Sequence, residues 1–142
     1  MVSIRISSLT NEMMEYARDG APPRQALISI MDHQRDALER FPAERVIRLA
    51  FDDAVDTSFW QNLMTREQAE AIRDFVLKYR DEIDILIVHC TEGVSRSAAV
   101  AAGIVAGLGG DDTSIWNCGR YRPNPRVYEW VRSAFEETAA RS

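Results

Sequence analysis

Two neighbouring stretches constrain this 142-residue chain more than any others. Residues 84–89, DILIVH, are an almost continuous apolar run, the pattern of a strand buried on both faces. Residues 97–108, SAAVAAGIVAGL, read as a helix of small apolar side chains suited to burial, stopped by Gly109-Gly110. A buried strand that feeds a buried helix through a short loop requires a sheet with helices packed on it.

The remaining elements agree. Residues 2–7 read as a strand, 8–18 as a helix with Ser8 as N-cap, and Gly20 ends that piece. Residues 25–31, QALISIM, are a second strand candidate, followed by a short helix over 33–40 that Phe41-Pro42 breaks. Residues 45–51, RVIRLAF, form a third strand, and the polar and aromatic DDAVDTSFWQNLM reads as a loop. Thr65 and Gln68 resemble a capping box, opening a helix to about Arg80 with Ala69, Ile72, Phe75, Val76 and Tyr79 on one face. Pro125 fits a first helical position, and residues 126–140 read as an amphipathic last helix carrying Val127, Trp130, Val131 and Phe135. Strands alternating with helices predict one α/β domain over 1–142, with a mostly parallel sheet of about four or five strands flanked by helices.

The interval between the two buried elements is where chemistry concentrates. Residues 89–97 read His-Cys-Thr-Glu-Gly-Val-Ser-Arg-Ser. In open α/β sheets ligands bind beyond the carboxyl ends of strands. A loop running into a helix N-terminus presents unpaired N–H groups and the positive end of the dipole, which favours an anion. The main-chain N–H groups of Thr91, Glu92, Gly93, Val94 and Ser95 can turn inward as a nest for a phosphate-sized oxyanion, with Gly93 easing the bend. Arg96 can clamp two oxygens with its planar fork. The same field favours the thiolate of Cys90, poised for in-line attack on phosphorus to give a phosphocysteine intermediate. Ser97 can donate a hydrogen bond to the sulfur, and His89 is expected to support the loop without touching substrate.

These residues carry a resemblance. HCTEGVSRS resembles the Cys-x5-Arg signature of the protein tyrosine phosphatase superfamily, in the form found in its dual-specificity branch and in small bacterial relatives. Residues 123–131, PNPRVYEWV, resemble more weakly the Pro-Asn segment before the last helix of those domains. The resemblance implies phosphate-monoester hydrolysis without metal or organic cofactor, on a phosphorylated protein or a small phosphate ester. It implies that Asn124 braces the phosphate loop, although Pro123-Asn124-Pro125 also reads as a turn and helix cap. It further implies a general acid upstream of the signature. Phe51-Asp52-Asp53-Ala54 places Asp53 in that slot, with Asp52 and then Asp56 as alternatives.

Other features have plainer readings. Asp32-His33 reads as a helix cap or surface pair, and Cys118 as a buried thiol or a disulfide partner of Cys90. Phe59, Trp60 and Trp116 fit loop packing or stacking on an aromatic substrate. The two His and two Cys have no metal-ligand spacing, and two Cys are too few for a disulfide framework, so a reducing, cytoplasmic setting is expected. No signal peptide or membrane span is expected. A formal net charge of −5 argues against a nucleic-acid partner. Glu92 and the lack of a base inside the loop argue against phosphoinositides. Nucleotide or RNA phosphatases remain rivals, sulfur-transfer and arsenate-reducing enzymes fit less well, and a phosphoprotein-binding module without turnover is the rival from another class.

Overall fold

The computed structural model describes residues 3–8, 25–31, 45–53, 63–90 and 94–141. Within them lies a four-stranded sheet of β1 (Ser3–Ser8), β2 (Gln25–Met31), β3 (Val46–Ala50) and β4 (Ile85–Cys90), in the order β1-β4-β2-β3. Every pairing is parallel. Four helices accompany it: α1 (Arg66–Tyr79), α2 (Arg96–Gly107), the short α3 (Thr113–Asn117) and α4 (Pro125–Arg141). The predicted helices over 8–18 and 33–40 fall almost wholly outside the described residues.

The burial patterns follow from position in the sheet. β4 lies between β1 and β2, so its residues Leu86 to Cys90 are buried on both faces, as the apolar run requires. β3 has only β2 beside it among the described strands, and Arg48 there is exposed. Leu86, Val88 and Cys90 join the main core with Ala99, Val100 and Ile104 of α2 and Val127 and Val131 of α4. Ile87 and His89, buried as well, alternate onto the other face.

Side-chain size sets how closely the helices approach. A Cβ on Gly103 would lie 2.8 Å from Val131, and one on Gly107 would lie 2.5 Å from the Cβ of Phe135. The two glycines let α4 rest on the backbone of α2. The end of α2 is a Schellman motif: Gly109 takes φ +86°, its N–H bonds to Ala106 O at 3.0 Å, and Gly110 N–H bonds to Val105 O at 2.8 Å.

At α1 the capping box is formed, with Thr65 Oγ1 accepting from Gln68 N at 3.2 Å and Gln68 Oε1 accepting from Thr65 N at 3.0 Å. Gln68 Nε2 also donates to Ala50 O at 3.0 Å, which ties the start of α1 to the end of β3. Among the described residues no helix is long and apolar enough to cross a membrane.

One expectation is corrected. Cys118 is exposed, because the turn after α3 lies on the surface. Trp116 lies in the five-residue α3, is 37% exposed, meets Tyr128 edge-to-face at 5.0 Å, and its Nε1 donates to Asp112.

Gly107→Ala tests the close helix contact. Propensity alone favours alanine by about 1 kcal/mol in a helix interior. Contact with Phe135 reverses the sign, and the variant is expected to lose about 1–3 kcal/mol. Denaturant unfolding measures the difference.

Candidate active site

Cys90 is the last residue of the central strand, and Arg96 is the first of α2. The thiol is 2% exposed, and Ser97 Oγ lies 3.2 Å from its sulfur. Ser97 comes close because α2 starts against the end of β4. Arg96, Ser97 and Ala98 are all buried, so this helix N-terminus is internal. Its N-cap, Ser95, makes no side-chain cap, and the first turn contains no carboxylate. No acidic side chain of its own first turn therefore offsets the helix dipole at this end.

The Ser95 hydroxyl instead donates to Asp53 Oδ1 at 2.8 Å. Asn124 Nδ2 donates to the same oxygen at 2.8 Å. Asn124 Oδ1 accepts from Arg126 N at 3.0 Å and Val127 N at 3.3 Å, which caps α4. Its main-chain N–H donates to Ser95 O at 3.3 Å, and two residues earlier Arg122 N donates to Val94 O at 2.9 Å. The loop end, the acidic segment after β3 and the start of α4 thus meet at Asp53 and Asn124.

Arg96 is 6% exposed and its Nη1 donates to Phe51 O at 2.8 Å. Phe51 is buried, and its N–H bonds to Met31 O at 3.2 Å. These bonds fix the chain two residues before Asp53. Sequence reasoning missed Phe51, Gln68 and Arg122 as contributors. Phe51 and Arg122 act through the backbone, which leaves no mark on residue type, and Gln68 is visible in sequence only as a cap.

His89 is fully buried. In register it lies between Ser7 of β1 and Ser29 of β2. Burial pulls its pKa down to about 4, partly countered by a hydrogen bond with the Cys90 backbone. The ring is therefore neutral at neutral pH. Thr91, Glu92 and Gly93 lie outside the described residues, as do Asp56, Asp32, His33, Phe59 and Trp60. Val94 and Ser95 are half-buried, Asp52 is half-buried and Asp53 is exposed. Among the described residues no cluster of His, Cys, Asp and Glu could hold a metal ion.

No protein-family model and no curated protein sequence matches the chain. Solved structures do. Human DUSP28 superposes with TM-score 0.65 at 17% identity, covering 100% of this chain and 97% of that one. PTPMT1 in complex with PI(5)P gives 0.61 at 17%, covering 98% and 94%. The human tyrosine phosphatase-like serine/threonine/tyrosine-interacting protein gives 0.54 at 16%, covering 96% and 89%. The fold is that of the protein tyrosine phosphatase superfamily in its dual-specificity-like form.

His89 makes stability depend on pH. The unfolded chain protonates this ring below about 6.5, whereas the folded protein does so only near 4. Between those values the unfolded state binds more protons, so stability falls as pH falls, and the contribution levels off below about 4. The gap corresponds to about 3 kcal/mol. Denaturant unfolding at pH 7, 5.5 and 4 should show His89→Asn losing less stability on acidification than wild type. Parallel curves for the two proteins would refute this.

Proposed function

We propose that the chain hydrolyses phosphate monoesters through a phosphocysteine intermediate, acting on phosphorylated proteins with phosphotyrosine as the default substrate. The observation that carries this reading is Cys90 at the carboxyl end of the central strand, beneath the buried N-terminus of α2, with the Ser97 hydroxyl at its sulfur.

The proposed roles are these. The Cys90 thiolate attacks phosphorus, forming the S–P bond as the ester P–O bond breaks. Asp53 gives its proton to the departing oxygen. Its two hydrogen bonds both use Oδ1, so Oδ2 is the oxygen that carries the proton. Water then attacks phosphorus, returns a proton to Asp53 and expels the thiolate, which the Ser97 O–H stabilises. Arg96, together with the N–H groups of Thr91, Glu92, Gly93, Val94 and Ser95, holds the equatorial oxygens in both steps. Asn124 and His89 brace the loop. No metal or organic cofactor enters this scheme.

A protein phosphoester is favoured over an inositol lipid because Glu92 stands inside the loop, where a base would suit a highly anionic headgroup. PTPMT1 does hold PI(5)P on this fold. The second reading is a phosphoprotein-binding module. It draws on the similarity to a tyrosine phosphatase-like interacting protein, since one fold hosts both behaviours. The presence of Cys90, Arg96 and Asp53 together favours catalysis.

Cys90→Ser is expected to abolish hydrolysis of para-nitrophenyl phosphate while vanadate binding persists; full activity in that variant would sink the mechanism. Asp53→Ala should lower kcat by about a hundredfold or more near neutral pH, the scale of a lost general acid. If Asp52→Ala has that effect instead, the acid is its neighbour. Asn124→Ala should lower kcat and also cost about 1 kcal/mol of stability through the lost cap.

A further inference from the structure

Gln68 uses both ends of its side-chain amide, and only one of those bonds belongs to a helix cap. Its Oε1 accepts from Thr65 N at 3.0 Å, and its main-chain N–H donates to Thr65 Oγ1 at 3.2 Å, which completes the capping box of α1. Its Nε2 donates to Ala50 O at 3.0 Å. Chemistry fixes this orientation, since the N–H of Thr65 can only donate and the carbonyl of Ala50 can only accept. A glutamate here would complete the same box and would also suit the positive end of the helix. It could not donate to Ala50. The second bond is therefore what an amide supplies at this position and a carboxylate does not.

The two partners of that amide are the stems of one segment. Ala50 ends β3 and Thr65 caps α1, and the stretch 51–64 between them carries Phe51, Asp52 and Asp53. The path from Ala50 to the acid is short and held at several points. Phe51 N donates to Met31 O at 3.2 Å, and Phe51 O accepts from Arg96 Nη1 at 2.8 Å. Asp53 Oδ1 accepts from Ser95 Oγ and from Asn124 Nδ2, each at 2.8 Å. Those bonds tie the path to β2, to α2 and to the start of α4. The bond from Gln68 ties it to α1. Placement matters for a proton donor, because a shift of about 1 Å at a catalytic group can cost on the order of a hundredfold in rate.

Resting on the phosphatase reading above, we propose that Gln68 is a positioning residue for the general acid: its amide joins both stems of the acidic segment and so sets where the Asp53 carboxyl meets the departing oxygen.

The test compares two aryl esters. Phenyl phosphate loses its oxygen only with a proton, whereas a dinitrophenyl phosphate releases its oxygen as the anion. The comparison uses kcat/KM, which contains the step that breaks the ester bond. In Gln68→Glu, and in Gln68→Met, which adds no charge, kcat/KM should fall about tenfold further on phenyl phosphate than on the dinitrophenyl ester, part of the roughly hundredfold or more that a general acid supplies. In an Asp53→Ala background the same substitutions should leave the ratio between the esters where Asp53→Ala alone puts it. Thr65→Ala breaks the cap and spares the bond to Ala50, so it should lower the denaturant midpoint without moving the ratio. Equal losses on the two esters in the Gln68 variants, a loss confined to Gln68→Glu, a shift that persists without Asp53, or an equal shift in Thr65→Ala would overturn the proposal. If wild type hydrolyses neither ester, the phosphatase reading fails separately, and NMR then reads the placement of Asp53 alone. The side-chain amide signal of Asn124, bonded to Asp53, should move in both Gln68 variants and stay in Thr65→Ala. A signal unmoved in the Gln68 variants overturns the proposal.

Discussion

A helix that begins inside a protein must find partners for its first N–H groups, because water is not there to take them. α2 begins this way, with Arg96, Ser97 and Ala98 buried against the end of β4. Its N-cap serine is turned toward Asp53 and does not cap the helix. In the proposed function a phosphate oxyanion would take that role, above the thiol that attacks it. Most of the proposed chemistry rests on that arrangement. The parallel register places the end of β4 mid-sheet, and α2 starts buried beside it.

Much of this was legible in the sequence because it depends on residue type. The apolar run of β4, the small residues of α2, the Thr65–Gln68 box and Pro125 each state their local structure through their chemistry. Among the described residues the starts of α1, α2 and α4 came out within a residue, with α2 beginning at Arg96 where Ser97 was expected. The places of Cys90 at a strand end and of Arg96 at a helix start were legible for the same reason.

What sequence did not reveal depends on backbone atoms and on distant meetings. Arg96 bonds to the carbonyl of Phe51, and any residue there would offer the same oxygen. Asn124 has two equally good sequence readings, loop brace or helix cap. The structure shows the cap through its amide oxygen, and its amide nitrogen goes to Asp53. The exposure of Cys118 and Trp116 was not legible either, because a short turn of helix has too few residues to show which side faces outward.

The bond between Asn124 and Asp53 joins residues 71 positions apart, and Asn124 takes its place only as the cap of the last helix. The contact between the acidic segment and the start of α4 therefore depends on how the last helix is seated. α4 is seated on α2 at Gly103 and Gly107, where a side chain would meet Val131 or Phe135. A helix–helix contact remote from Cys90 thus sets where Asn124 meets Asp53.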